Sequence, residues 1–189
     1  MKESLLLPIL RSQTQGDLLA LLFLNPDRQY TISDAARTIG VSVPGLHHEA
    51  VRLIAAGIIS ERREGRNRLI RAEMQSQLAS AMTELLLLTY GPIPVVERAL
   101  KGLAGIDAAY IFGSWAARYK GKSGPIPNDV DVLIVGSISL DLLDEISERV
   151  GARLRRDVNF KKLATKEWKE KTQPFTKTIS RNPHVALKI

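Results

Sequence analysis

The sequence contains no cysteine, no apolar run long enough to cross a bilayer and no low-complexity tract. The first absence excludes disulfides, thiolate metal sites and a cysteine nucleophile, and it fits a reducing cytoplasm. The dense apolar run from Leu85 to Leu88 is far shorter than the roughly 20 residues of a membrane-spanning helix. The N-terminal apolar run is interrupted by Pro8 and lacks the cleavage site of a signal peptide. We therefore expect a soluble, cytoplasmic protein.

Length, charge and pattern indicate two domains and a polyanionic partner. The 189 residues are long for one small domain and sufficient for two of about 90 residues each. The net charge of +7 favours nucleic acid or phosphate-rich ligands. Before residues 90–94 the pattern predicts helices and one hairpin, and after them short apolar strands alternate with amphipathic helices. We expect an α+β chain whose second domain has a mixed sheet.

The first half predicts two helices around a tight turn, followed by a hairpin. Ser33 is placed to cap a helix over 34–39, which Gly40 ends in the left-handed conformation. Ser42 is placed to cap a second helix reaching about residue 56, with Val51 among its inward-facing side chains. Two short extended runs around Glu64-Gly65 then predict a β-hairpin.

Residues 14–73 resemble winged helix-turn-helix regulators, on the segment TISDAARTIGVSVPGLHHEAVRLIAAGIISERREGRNRLIRA. The resemblance implies that the second helix enters the major groove of double-stranded DNA. Its exposed candidates for base contact are Ser42, Pro44, His47, His48 and Arg52. The hairpin would be the wing, whose arginines suit phosphate or minor-groove contact: Arg62, Arg63, Arg66, Arg68 and Arg71. The alternative is a protein-protein or dimerisation module with solvated arginines.

The stretch 74–91 predicts a long helix with leucines at helical spacing. Such a stripe is typical of a core or of a dimer seam, and winged-helix proteins commonly bind two half-sites, so we expect a homodimer. The predicted organisation is therefore a DNA-binding domain over 1–73, a linker or dimerisation helix over 74–91, and a second domain over 92–189.

The second domain contains two short motifs that suit phosphate and metal. A predicted strand over 106–112 ends at Gly113-Ser114, where a glycine lets a phosphate approach the backbone and the hydroxyl can bind its oxygens. A second strand begins with Asp129 and Asp131, whose carboxylates lie on the same face because strand side chains alternate. Two adjacent carboxylates repel each other, and a bound divalent cation would remove that repulsion. Oxygen ligands favour Mg²⁺, with Mn²⁺ as the alternative metal.

The segment FGSWAARYKGKSGPIPNDVDVLIVG resembles the minimal nucleotidyltransferases of the DNA polymerase β-like superfamily, and the resemblance spans about residues 92–175. It implies that Gly113 and Ser114 hold a nucleoside triphosphate and that Asp129 and Asp131 bind the metal. Arg118, Lys120 and Lys122 are the candidates that would neutralise its phosphates.

The family's third carboxylate falls on a strand predicted over 155–160. Asn159 occupies that place, and Asp157 lies two residues earlier on the same face. An asparagine can ligate a metal through its carbonyl oxygen but cannot accept a proton from the attacking hydroxyl. The candidate metal ligands are therefore Asp129, Asp131 and Asn159, and the candidate catalytic acids are Asp129, Asp131 and Asp157.

Two functions follow from these resemblances. The first is a DNA-binding transcriptional regulator whose second domain binds a magnesium-nucleotide complex, with or without catalysis. The alternative is an active enzyme that transfers a nucleotidyl group to a protein, RNA or small-molecule hydroxyl, for which a toxin-antitoxin setting is one context. Asp157 facing the acid pair favours the enzyme, and Asn159 there favours the regulator.

Overall fold

Short helices and a small sheet form the first half of the computed structural model, which describes residues 10–122 and 124–189. Residues 1–9, which contain the N-terminal apolar run, lie outside the described residues. The chain divides into two units between Gly91 and Pro92. The elements of the first unit are α1 (Gln13–Phe23), β1 (Tyr30–Thr31), α2 (Ile32–Ile39), α3 (Val43–Ala55), β2 (Ile59–Glu64), β3 (Asn67–Ala72) and α4 (Ala79–Tyr90).

Helix α1 is the centre of the first unit. Apolar residues occur all around this helix and are not confined to one stripe, so the helix is buried on several sides. It contacts α2, α3 and α4, and Leu18 and Leu22 are fully buried. Helix α4, in the stretch expected to be a linker or dimerisation helix, thus packs on α1 inside the first unit.

The turn between α2 and α3 is held by side-chain caps. Thr31 Oγ1 accepts a hydrogen bond from the Asp34 N–H at 3.0 Å, so α2 begins at Ile32. Ser33, the expected cap, therefore lies inside the helix. Gly40 ends α2 with φ +74, as expected, and Ser42 caps α3 by accepting from the Gly45 N–H at 3.3 Å.

A three-stranded antiparallel sheet completes the first unit, with the order β1-β3-β2. The β2–β3 hairpin pairs Arg63 directly with Arg68. Its base is anchored by the buried Ile59 and Ile70, whereas residues 61–68 around the turn are exposed.

The second unit contains a four-stranded mixed sheet of order β6-β5-β4-β7. β5 is antiparallel to β4 and parallel to β6, and β7 is antiparallel to β4. This confirms the expected α+β class with a mixed sheet. Its elements are α5 (Pro92–Leu100), β4 (Ile106–Phe112), α6 (Gly113–Tyr119), β5 (Asp129–Gly136), α7 (Leu140–Leu154), β6 (Asp157–Leu163), α8 (Thr165–Glu170), α9 (Pro174–Arg181) and β7 (His184–Ala186).

The alternation of β5 separates the two faces of this sheet. Val130, Val132 and Ile134 are fully buried on one face. On the other face Leu133 and Val135 pack in a cluster with Leu163 and with Ile179 of α9. Asp131 lies on this second face, one step beyond Leu133, so the acid pair borders an apolar layer.

One helical stretch among the described residues, Ala79–Leu100, is long and apolar enough to cross a membrane by length and composition alone. Half of its apolar window is buried inside the fold. Core helices pass the same test, so this is a weak indication of a membrane span.

Candidate nucleotide site and nucleic-acid interface

The acid pair lies at the start of β5, between two neighbouring strands. Asp131 pairs in register with Phe112 of β4 on one side and with Asn159 of β6 on the other. Asp129, two residues earlier on the same face, pairs with Asp157. The register therefore brings together the acids that the sequence placed on two separate segments.

Gly113 brings the backbone against this acid pair. Its φ is +70, a conformation that favours glycine, and a Cβ added there would lie 2.9 Å from Asp131 Oδ2. Any other residue would crowd the carboxylate. Ser114 follows at the start of α6 and is exposed.

Asn159, and not Asp157, makes the contact with Asp131. The Asn159 Nδ2 group donates a hydrogen bond to Asp131 Oδ1 at 3.4 Å. Asp157 is exposed and lies one pairing step away, opposite Asp129. Of the two positions considered for the third carboxylate, the one beside Asp131 therefore holds an amide.

The environment raises the pKa of the Asp131 carboxyl above its ordinary value. Burial is the largest cause, and the negative charge of Asp129 adds to it. The hydrogen bond from Asn159 and the positive charge of Lys161 act in the opposite direction. The site thus carries an electrostatic cost that a bound cation would remove.

The residues present fit a magnesium ion that arrives with a nucleotide better than a resident ion. Among residues 10–122 and 124–189, no three His, Cys, Asp or Glu side chains converge on a metal position. Asp129 and Asp131 supply two carboxylates, and Asn159 would have to turn its carbonyl oxygen toward the ion. Mg²⁺ is commonly bound by one or two carboxylates together with substrate phosphates.

The cations near the site differ from the expected set. Arg118 donates from Nη1 to the Gly124 carbonyl oxygen at 2.5 Å, so it binds its own loop. Lys120 and Lys122 are exposed in that loop. Lys161, which was not among the expected residues, lies on the face of the acid pair and lowers the pKa of Asp131. Its spacing of two from Asn159 was the signal that could have identified it.

The residues expected to contact DNA bases lie on the surface of α3, which carries few charged side chains. Pro44, His47 and His48 are exposed, and Ser42 is exposed while its hydroxyl caps the helix. Arg52 is half-exposed, with Nη1 3.9 Å from Glu49 Oε1.

Two residues of α3 have environments that the sequence did not predict. Glu49 is buried and accepts a hydrogen bond from Ser12 Oγ at 3.0 Å. Val51, expected to face inward, is 44% exposed, so that prediction was wrong. The phase of the helix is set by Leu46, Ala50 and Leu53, which are buried.

The arginines of the β2–β3 hairpin fall into two groups. Arg68 places Nε 3.0 Å from Glu61 Oε2, and Arg62 contacts Gln29 Oε1 at 2.6 Å and Glu64 Oε1 at 3.3 Å. Arg71 Nε donates to Ser60 Oγ at 3.4 Å. Within the part of the chain that the structure describes, the side chains of Arg63 and Arg66 are exposed and form no ion pair or hydrogen bond.

Comparison of this chain with protein-family models, with curated proteins and with solved structures finds no match.

We expect Asp131→Asn to stabilise the second unit at pH 7, and the gain to disappear below the ordinary pKa range of an aspartate. The folded unit holds the Asp131 proton more tightly than the unfolded chain does, so its stability falls as the pH rises through the raised pKa. At low pH both states are protonated and the penalty is absent. Urea titrations followed by tryptophan fluorescence measure this, because Trp115 and Trp168 both lie in the second unit.

The exposed Asp144 of α7 supplies the matched control. Asp144→Asn should change the free energy of unfolding by no more than about 0.5 kcal/mol at either pH. Equal free energies of unfolding for the wild type and Asp131→Asn at pH 7 would contradict the electrostatic cost assigned to this carboxylate.

Proposed function

We propose that this chain is a cytoplasmic DNA-binding transcriptional regulator whose second unit is a nucleotidyltransferase-like domain that binds magnesium-nucleotide without efficient transfer. The observation that carries the proposal is the amide of Asn159 lying against Asp131, where the resembled family has its third carboxylate.

Three features of the first unit support the proposed winged-helix role. Two capped helices meet at a turn, and a hairpin follows the second helix. β1, which lies between α1 and α2, pairs with β3 of that hairpin. These features support a DNA-binding role for α3 and the β2–β3 hairpin, which is then the wing.

The second unit supports nucleotide binding through three adjacent features. Gly113 exposes backbone beside Asp131, Ser114 offers a hydroxyl, and Asp129 with Asp131 would hold the cation of a magnesium-nucleotide complex. Lys161 and the loop lysines, Lys120 and Lys122, supply positive charge for the phosphates. When bound, the magnesium ion would neutralise charge on the phosphates.

Transfer needs a group that accepts the proton of the attacking hydroxyl. An amide has no such capacity, and the residue in contact with Asp131 is an amide. Asp157 has a carboxylate on the same face, opposite Asp129. This carboxylate favours the alternative function, an active nucleotidyltransferase, which the next experiment tests directly.

We expect wild-type protein to bind magnesium-nucleotide but to release pyrophosphate no faster than a protein-free solution. Asn159→Asp should raise pyrophosphate release by about 10²- to 10⁴-fold, the usual contribution of a positioned general base. The third carboxylate should also strengthen Mg²⁺ binding and destabilise the metal-free unit. Pyrophosphate release from nucleoside triphosphates with Mg²⁺ or Mn²⁺ is the measurement, with the hydroxyl of an added RNA, or of water, as the acceptor of the nucleotidyl group.

Asp157→Asn and Asn159→Asp/Asp131→Asn serve as controls. The second should abolish any release gained by Asn159→Asp. Release by the wild type that disappears in Asp157→Asn would contradict the non-catalytic proposal, and would assign the role of third carboxylate to Asp157.

The wing tests the DNA-binding part of the proposal. We expect Arg66→Ala and Arg63→Ala each to weaken duplex binding for all sequences, and to lower the slope of log affinity against log salt by about 0.9 for each phosphate that is no longer neutralised. Both guanidinium groups are free to reach phosphates. Fluorescence anisotropy with labelled genomic duplexes across a salt series measures the slope.

Arg98→Ala removes the same charge from an exposed position on α5, in the second unit, and should leave the slope unchanged. Glu61→Gln should strengthen binding, because it releases Arg68. A slope that does not respond to Arg66→Ala, or no duplex binding at low salt, contradicts the proposed interface.

We propose further that α4 pairs two copies of the chain. Together with Leu78 at the N-cap, the exposed apolar side of α4 follows the alternating spacing of three and four that is typical of helix pairs: Leu78, Ala81, Leu85 and Leu88. Leu88 is 64% exposed and Leu78 is 57% exposed, which is unusual for leucines on one helix face. A two-fold dimer would also suit DNA that carries two half-sites.

We expect Leu88→Glu to convert the dimer to a monomer in sedimentation velocity and to weaken binding to a duplex with two half-sites. A charge in the seam would be buried without a partner. Ser80→Glu, which adds the same charge at an exposed position of α4 outside the stripe, should leave the dimer intact. Wild-type protein that is monomeric at micromolar concentration would disprove the pairing.

A further inference from the structure

Five aromatic rings lie together on the face of the sheet that carries Asp131. They come from separate elements of the second unit: Tyr110 and Phe112 of β4, Trp168 of α8, Phe175 of α9 and His184 of β7. Tyr110 lies 5.0 Å from Trp168 and 5.6 Å from His184 between ring centroids, and Phe112 lies 5.9 Å from Phe175. Tyr110, Phe112 and Trp168 pack against the apolar cluster around Leu133, and Phe112 also pairs in register with Asp131.

Phe112 joins the aromatic rings to the proposed nucleotide site. It pairs in register with Asp131, and Gly113 is the next residue in the chain. A phosphate bound at Gly113 and a cation at Asp131 therefore have Phe112 as a direct neighbour. Phe175 is in ring contact with Phe112 and so lies one residue further from this neighbourhood.

Phe175 has the largest solvent exposure in this group, at 36%, whereas the other four rings are partly buried. Its plane makes 84° with that of Phe112. An edge-to-face contact of this kind covers one face of Phe175 at most, so Phe112 leaves the other face uncovered.

We propose that Phe175, supported edge-on by Phe112, stacks the base of the bound nucleotide. The inference rests on the proposed nucleotide site and names its ligand as a whole nucleoside triphosphate, not a free phosphate or polyphosphate. Stacking on an aromatic ring tolerates any base, because every base has a π-face. The larger ring system of a purine covers more of Phe175 and is held more tightly than a pyrimidine.

The test compares Mg-ATP with Mg-tripolyphosphate, which carries the phosphates without the base. Wild-type protein should bind Mg-ATP more tightly, and Phe175→Ala should lower that affinity by about 5- to 150-fold, the range of one base-aromatic stack. The affinity for Mg-tripolyphosphate should not change. Calorimetric titration gives both affinities, and the fluorescence of Trp115, directly after Ser114, gives a second signal.

Two further variants separate stacking from folding. Phe175→Tyr keeps a flat ring and should retain the affinity for Mg-ATP, whereas Phe175→Leu keeps apolar bulk and should lose it. Leu140→Ala removes apolar surface from an exposed position of α7 and should alter neither affinity.

The outcomes distinguish this inference from the function on which it rests. Equal affinities of the wild type for the two ligands, or an affinity for Mg-ATP that survives in Phe175→Ala and Phe175→Leu, would overturn the stacking role while leaving the phosphate site in place. Failure of the wild type to bind either ligand would overturn the proposed nucleotide function and the stacking role with it.

Discussion

β5 lies between an antiparallel neighbour, β4, and a parallel neighbour, β6, and the arrangement of the acid pair follows from that double pairing. A tight turn cannot join parallel strands, so the chain returns along α7 before β6 begins. The register then sets Asn159 on one side of Asp131 and Phe112 on the other. A slip of one residue would turn Asn159 to the opposite face and leave an apolar side chain in its place.

Within that register, an amide at position 159 favours the stability of the metal-free unit, whereas a carboxylate there could accept a proton. Burial and the charge of Asp129 already make the Asp131 carboxylate costly. A third carboxylate would add a second repulsive neighbour, which only a bound cation would offset. The Asn159 amide instead donates a hydrogen bond, which offsets part of the cost without any cation. Under the proposed function, the same amide stands where a base would take a proton.

Local patterns in the sequence predicted β4 and β5 well, because Gly113 ends the first and the acid pair begins the second. The strand expected over 155–160 instead runs over Asp157–Leu163, because Arg155 ends α7 in the left-handed conformation. Positions that depend on tertiary packing were less predictable. Thr31 and Ser33 are equally suitable as caps, and the start of α2 follows from Thr31, which lies in β1. Likewise, Val51 faces solvent because buried neighbours fix the phase of α3.

The hairpin shows a further limit of reasoning from composition, because its five arginines are not five equivalent charges. Arg68 is bound to Glu61, and Arg62 is bound to Gln29 and Glu64. Direct contact of either arginine with a phosphate would break these hydrogen bonds. Exposed ion pairs are worth about 0–1 kcal/mol, so exchanging a carboxylate for a phosphate gains little net free energy. Under the proposed function, the held arginines therefore shape the hairpin more than they attract a duplex. The proposed attraction rests on Arg63 and Arg66, whose side chains are exposed.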